Sequence, residues 1–345
     1  MIVDDSMVAR AVLSRMVETD GAFEIAAVAG TAEDAIDALQ HVRVDVILLD
    51  LEMPGAGGLS NLPRIIEAAR GARVMIVSSL AEDGAEETIA ALAMGAADTL
   101  PKPGTGRFNG RFSEILIGKL RALGHVEHTG HRIPEPLRQK FESPLRAMSP
   151  EPVELLAIGA STGGIHALGC LFQALPLKIC VPILVTQHLP APFMAVFARQ
   201  LGSAAKREAL VAEEGMALLP DRIVIAPGDA HLKVDLVHGQ LVARLDRKRS
   251  ASGCLPSVDP MFASAAAALG SGVMGIVLTG MGRDGVEGAT RLVACGGSVM
   301  AQDEASCAVY GMPRAVAEAG LLCAILPPEQ LARRIASRSG ERSWK

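Results

Sequence analysis

Leu155-Leu156-Ala157-Ile158-Gly159-Ala160-Ser161-Thr162-Gly163-Gly164-Ile165 reads as a strand, a glycine-rich turn and the first residues of a helix. The opening apolar run suits a strand buried on both faces, which is the pattern of a parallel sheet. Ile183–Thr186, Ile223–Ala226 and Gly275–Leu278 repeat it further along the chain. Leu232–Leu236 and Gln240–Leu245 read as a hairpin around His238-Gly239. Repeated strand and helix units predict a doubly wound α/β domain over residues 152–345.

Residues 123–151 differ. They hold Pro134, Pro136, Pro144 and Pro150, and His125, His128 and His131 at intervals of three, with no sustained periodicity. A solvated linker explains this stretch better than a metal site. Before it, strand-like Val44–Leu49, Val74–Val77 and Ala97–Leu100 alternate with helix-like Ser6–Glu18, Ala32–Gln40, Leu59–Arg70, Ala85–Met94 and Ser113–Leu123. Residues 1–122 therefore form a second parallel α/β domain, and 345 residues suit two domains of roughly 150 each.

Composition narrows the function. Half of the residues are hydrophobic and 21% are charged, so a large core can form. The net charge of −5 and the 3% aromatic content argue against nucleic acid as a partner. Cys170, Cys180, Cys254, Cys295, Cys307 and Cys323 include no CxxC pair and read as reduced, small apolar residues of a cytoplasmic protein. Leu155–Leu177 and Pro260–Gly282 carry no Asp, Glu, Lys or Arg, yet glycines break both, so each reads as a strand and a helix and no membrane insertion is expected.

Ligands of open parallel sheets sit beyond the carboxyl ends of the strands. In the first domain those ends carry Asp4 and Asp5, Asp50, Ser78 and Lys102. One aspartate there is ordinarily a cap, but five such residues in order are not explained that way. Clustered carboxylates repel unless a hard cation such as Mg²⁺ neutralises them, and one of them can then attack phosphorus. Ile2-Val3-Asp4-Asp5-Ser6, Leu48-Leu49-Asp50-Leu51-Glu52-Met53-Pro54, Val77-Ser78-Ser79 and Leu100-Pro101-Lys102-Pro103 resemble the receiver domain of response regulators, a flavodoxin-like fold. The resemblance implies Asp50 as phospho-acceptor. It also implies Mg²⁺ on Asp4, Asp5, Asp50 and the backbone carbonyl of Glu52, phosphoryl contacts from Ser78 and Lys102, and a cis Lys102–Pro103 bond. Two departures stand out: the sequence starts so near the acidic pair that its first strand must be short or shortened, and Thr99 stands where receivers often carry a switching aromatic.

The turn at Ser161 allows two readings. A glycine-rich helix start can hold a phosphate, but neither Gly-x-Gly-x-x-Gly nor a Gly-Lys-Ser/Thr ending is present. Alternatively, Gly159-Ala160-Ser161-Thr162-Gly163 has the spacing of a nucleophile turn. His188 follows the strand Ile183–Thr186, and Asp284 follows the strand Gly275–Leu278. A hydroxyl, a base and an acid at strand ends of one sheet meet the requirement for a catalytic triad, with the Met281 N–H as candidate oxyanion donor. The basic run Arg244–Arg249 reads as a solvated strand end or as a docking patch for acidic helices, and His166 and His231 as polar residues of the rim.

Gly159–Gly164, Gln187-His188 and Thr279–Gly285 resemble the catalytic domain of chemotaxis protein-glutamate methylesterases, the CheB family, which also carries a receiver in front. The resemblance implies Ser161 as nucleophile, His188 as general base and acid, Asp284 as the residue that fixes the imidazole, and no cofactor at this site. It implies methylated glutamates and some glutamines of methyl-accepting chemotaxis receptors as substrates and the chemotaxis histidine kinase as phosphodonor. Phosphorylation would relieve the receiver's cover over the catalytic face. A non-enzymatic response regulator that binds a partner or nucleotide is the alternative.

Overall fold

The computed structural model describes residues 1–53, 57–78, 82–102, 110–124 and 144–338. The chain divides into two units, residues 1–135 and 136–345. The three spaced histidines, Pro54, Ser79 and the Lys102–Pro103 bond lie outside the described residues.

In the first unit β1 (Ile2–Val3), β2 (Val28–Ala29), β3 (Val46–Leu49), β4 (Arg73–Ser78) and β5 (Asp98–Pro101) form a parallel sheet in the order β2-β1-β3-β4-β5. The helices are α1 (Met7–Glu18), α2 (Ala32–His41), α3 (Gly57–Ala68), α4 (Glu82–Ala93) and α5 (Gly110–Gly124). Ser6 and Thr31 start α1 and α2, their side chains accepting the Ala9 and Asp34 N–H groups; such caps each contribute about 1 kcal/mol. Ile47, Leu49, Met75 and Ile76 are completely buried, as the apolar runs require. The first strand is indeed short, two residues paired with Val28–Ala29 on one side and Leu48–Leu49 on the other. The connection after β1 runs to β2 and that after β3 runs to β4 on the opposite side, so the crevice between β1 and β3 is where this topology places a ligand. A cavity of about 500 Å³ lined by Met1, Phe23, Val46 and Leu120 lies at the other end of these strands, away from Asp4 and Asp50.

In the second unit β6 (Leu155–Ala160), β7 (Ile183–Gln187), β8 (Ala209–Val211), β9 (Ile223–Ile225), β12 (Val273–Val277), β13 (Ser298–Gln302) and β14 (Ala324–Leu326) form a seven-stranded sheet. The order is β14-β13-β12-β6-β7-β9-β8, every neighbouring pair parallel. Between β9 and β12, β10 (His231–Val237) and β11 (Gln240–Asp246) make the expected hairpin, turning on His238 and Gly239, both at positive φ. The helices are α6 (Gly164–Ala174), α7 (Ala191–Ala205), α8 (Val258–Leu269), α9 (Val286–Ala294), α10 (Met312–Glu318) and α11 (Pro328–Ala336). Phe262 and Met261 of α8 pack with Leu155, Ala157 and Val277 in the core, between the sheet and the hairpin.

The two uncharged stretches resolve as expected: Leu155–Leu177 holds β6, a turn and α6, and Pro260–Gly282 holds most of α8 and β12. Among the described residues no helix is long and apolar enough to cross a membrane. The last residues of the expected linker lie on the second unit, where the Arg146 and Ser149 N–H groups donate to Leu322 O (2.8 Å) and Ser298 Oγ (2.9 Å). Among the described residues no two cysteines form a disulfide, but the cysteines are not all core residues: Cys307 is buried, Cys180 and Cys295 are exposed, and the other three are half-buried.

Candidate active site

The centre of the second sheet brings Ser161 and His188 together. Ala160 pairs with Gln187 across β6 and β7, so Ser161 and His188 are the next residues on adjacent strand ends. The His188 N–H donates to Ala160 O at 3.1 Å and continues the ladder past β7. On the other side of β6, β12 ends at Val277 opposite Gly159, and the loop beyond it carries Asp284. The connection after β6 runs to β7 and that after β12 runs to β13 on the opposite side, which opens the crevice at this end.

The Ser161 backbone is held from three directions. Its N–H donates to Thr279 O (3.0 Å), and its carbonyl accepts the Gly164 N–H (2.8 Å) and Gln187 Nε2 (2.8 Å). Gly163 caps α6 at φ +78°, a conformation that favours glycine. A Cβ on Gly280 would lie 2.7 Å from the Ser161 Cβ and 2.5 Å from the Met312 Sδ, so only glycine fits there. The Gly280 N–H is taken by Val309 O at 3.0 Å. Met281 is 46% exposed, and its N–H donates to no protein acceptor among the described residues, as an oxyanion donor requires.

His188 Nε2 lies 2.8 Å from Asp284 Oδ2. Asp284 is buried, and its oxygens also accept the Ser257 Oγ–H (2.6 Å) and the Val258 N–H (2.7 Å). These two residues begin α8, so the carboxylate sits on a helix N-terminus, where backbone N–H groups and the helix dipole favour an anion. Burial alone would push the Asp284 carboxyl up, but His188, Ser257 and Val258 hold it well below the usual carboxylate range. For His188, burial favours the neutral ring, yet hydrogen bonds and charge from Asp284 and Cys254 outweigh it and raise the imidazole to about 9. The structure thus brings His188 and Asp284 into direct contact and sets Ser161 beside them. The Ser161 Oγ makes no hydrogen bond among the described residues.

Three parts of this site were not singled out in the sequence. From the sequence Ser257 carries no assigned role, Gln187 stands only within the Gln187-His188 motif, and Cys254 only among the small apolar cysteines. His231 is fully buried and fastens the loop before α8: its Nδ1 accepts the Ser257 N–H (2.9 Å) and its Nε2–H donates to Lys248 O (2.7 Å). His166 faces Cys170 Sγ at 3.6 Å on α6. Within the basic run, Arg244 pairs with Glu214 (3.0 Å) and Asp235 (3.2 Å), and Arg247 with Asp229 (3.3 Å).

The first unit collects the expected charges. Asp4 and Asp50 are buried and Asp5 is exposed, with oxygens of all three within 4.8 Å of one another. Lys102 Nζ reaches Asp4 Oδ2 (2.9 Å) and Asp50 Oδ2 (2.7 Å). Burial raises the Asp50 carboxyl, aided by the Asp4 charge and opposed by Lys102. Burial would lower the Lys102 ammonium, but the two carboxylates prevail and raise it. An all-oxygen set with two buried carboxylates fits a hard divalent cation. The Glu52 N–H donates to Asp50 Oδ1 at 3.2 Å. Ser78 Oγ pairs with Thr88 Oγ1 of α4 at 2.8 Å, both buried, and Thr99 is buried as well.

Comparisons with known proteins agree with both halves. The CheB methylesterase family model matches residues 156–335, and the response regulator receiver domain model matches residues 1–107. The chain is 38% identical to protein-glutamate methylesterase/protein-glutamine glutaminase 1 of Paramagnetospirillum magneticum, covering 96% of this chain and 93% of that one. It is 40% identical to protein-glutamate methylesterase/protein-glutamine glutaminase 2 of Caulobacter vibrioides, covering 98% of each. Among solved structures, the CheB methylesterase catalytic domain of Thermotoga maritima is 34% identical with a TM-score of 0.53, and the match covers 54% of this chain and 99% of that one.

Proposed function

The chain belongs to the CheB methylesterase family, and from this we propose that it hydrolyses glutamate methyl esters on chemoreceptors, releasing methanol, and deamidates receptor glutamines, under control of phosphorylation at Asp50. It is a hydrolase with a receiver domain in front, and its place of action is the cytoplasm, on the receptors' methyl-accepting segments. A partner-binding or nucleotide-binding module without catalysis is not favoured by this membership.

The observation that carries the chemistry is the 2.8 Å His188–Asp284 contact beside the Ser161 strand end. Ser161 Oγ attacks the ester carbonyl while His188 takes its proton. Asp284 holds the ring in place and stabilises the imidazolium that forms. The Met281 N–H donates to the oxyanion, an interaction of about 3 kcal/mol in comparable sites. His188 then protonates the departing methanol, or ammonia from a glutamine. Water, deprotonated by the same imidazole, releases the glutamate.

In the receiver, Asp4, Asp5, Asp50 and the Glu52 carbonyl would hold Mg²⁺, which when bound neutralises the carboxylates and the phosphoryl oxygens. Asp50 accepts the phosphoryl group from the chemotaxis histidine kinase. Lys102, already 2.7 Å from Asp50, binds a phosphoryl oxygen. Ser78 leaves Thr88 to bind another. The test is methanol release from methylated receptor membranes with and without a small phosphodonor. Release that rises with the donor is expected, and Asp50→Asn should remove that rise. No release under either condition overturns the reading.

A further inference from the structure

Cys254 lies against the catalytic pair although the serine mechanism does not use it. One donor atom each from His188, Cys254 and Asp284 lies within 4.8 Å of the other two. The thiol and the imidazole are half-buried and reachable from solvent, while the carboxylate is buried.

The set is held in place. The His231 ring ties Lys248 O to the Ser257 N–H across the loop that carries Cys254. Ser250 Oγ donates to Cys254 O at 2.9 Å, and Ser257 and Val258 fix Asp284. Hydrogen bonds of this kind orient ligands in metal sites. Nitrogen, sulfur and oxygen donors with an open fourth side suit tetrahedral Zn²⁺, with bonds of about 2.0–2.3 Å. For such bonds the 2.8 Å His188–Asp284 contact opens to about 3.3 Å.

We propose that Cys254, His188 and Asp284 form a binding site for a thiophilic divalent cation, Zn²⁺ first among them, and that its occupancy shuts off the hydrolase. Binding releases the thiol proton and the proton shared by His188 and Asp284 to solvent, and water fills the fourth position. No electron changes hands. The imidazole lone pair then points at the metal and cannot take the Ser161 proton. Cations sort by softness: the Asp4, Asp5 and Asp50 cluster has oxygen donors only and suits Mg²⁺, whereas the sulfur favours Zn²⁺ here. The inhibition half rests on the esterase reading, and the binding half stands without it.

The experiment uses the full chain after treatment with chelator. Co²⁺ is titrated as an optical probe, Zn²⁺ is used to displace it, and ester hydrolysis is followed in parallel. The expected results are a thiolate-to-cobalt charge-transfer band that Zn²⁺ removes, and loss of hydrolysis as Zn²⁺ rises. Cys254→Ala and Cys254→Ser should lack the band and, each measured against its own metal-free rate, need at least about tenfold more Zn²⁺ for half-inhibition. A wild-type chain without the band, or a Cys254→Ala chain with the same band or the same Zn²⁺ sensitivity, overturns the proposal. A cobalt band from a chain that hydrolyses nothing before any metal is added keeps the metal site and removes the esterase reading.

Discussion

The two units bury carboxylates at the same topological position and neutralise them differently. In the receiver, Asp4 and Asp50 beyond β1 and β3 face the permanent cation of Lys102, which comes from beyond β5. In the second unit, Asp284 beyond β12 faces an imidazole and the first turn of α8. A lysine keeps its charge throughout the working pH range, so it holds a pocket ready for an incoming anion. An imidazole can give up its proton, so its pocket can run acid and base steps. One sheet topology serves a phosphoryl switch or an esterase according to which cation answers the buried acid.

That contrast can be broken most severely at Ser161. Ser161→Ala should lower methanol release by about 10⁴-fold or more while leaving Asp50 phosphorylation intact. Equal loss of both activities would mean that the substitution damaged more than the nucleophile. Next comes Asp284→Asn, expected to cost about 10³- to 10⁴-fold in kcat. Its pH profile is the sharper readout. Because the wild-type imidazole stays protonated up to about 9, chelator-treated enzyme should gain activity as the pH climbs toward that value. Without the anion the proton is held less firmly, so the residual activity of Asp284→Asn should rise at lower pH. An unshifted profile would show that Asp284 does not govern the base.

Lys102→Met should destabilise the receiver unit by about 2–3 kcal/mol in urea unfolding without divalent cation, since two buried carboxylates lose their partner. Added Mg²⁺ should restore part of the loss. The mildest change, Ser257→Ala, removes a helix cap and one hydrogen bond to Asp284, and about 1–2 kcal/mol of stability in the second unit should go with it. Turnover should fall only severalfold, because His188 and Val258 still hold the carboxylate.

The central strands were legible because β3, β6, β7 and β12 are apolar runs, and their ends were legible because a charge or a hydroxyl follows each one. The edge strands β2, β8 and β14 have two or three residues and no alternation to read. Ser161, His188 and Asp284 could be listed from strand ends, but the seat of Asp284 on the start of α8 could not, since nothing local couples Ser257 to a loop 27 residues away. Cys254 is hidden for the same reason: its loop lacks periodicity, and only long-range bonds through His231 bring it to the imidazole. The Ser78–Thr88 pair depends on how α4 lies over β4, which composition does not encode.

At Gly280 the loop bearing the amide of residue 281 touches the turn bearing Ser161, with no room between them for a methyl group. In the proposed mechanism the attacking oxygen and the dipole that meets the developing negative charge are therefore mounted on one rigid jaw. Their separation is a fixed gauge, and a receptor side chain must match it on arrival instead of moulding it.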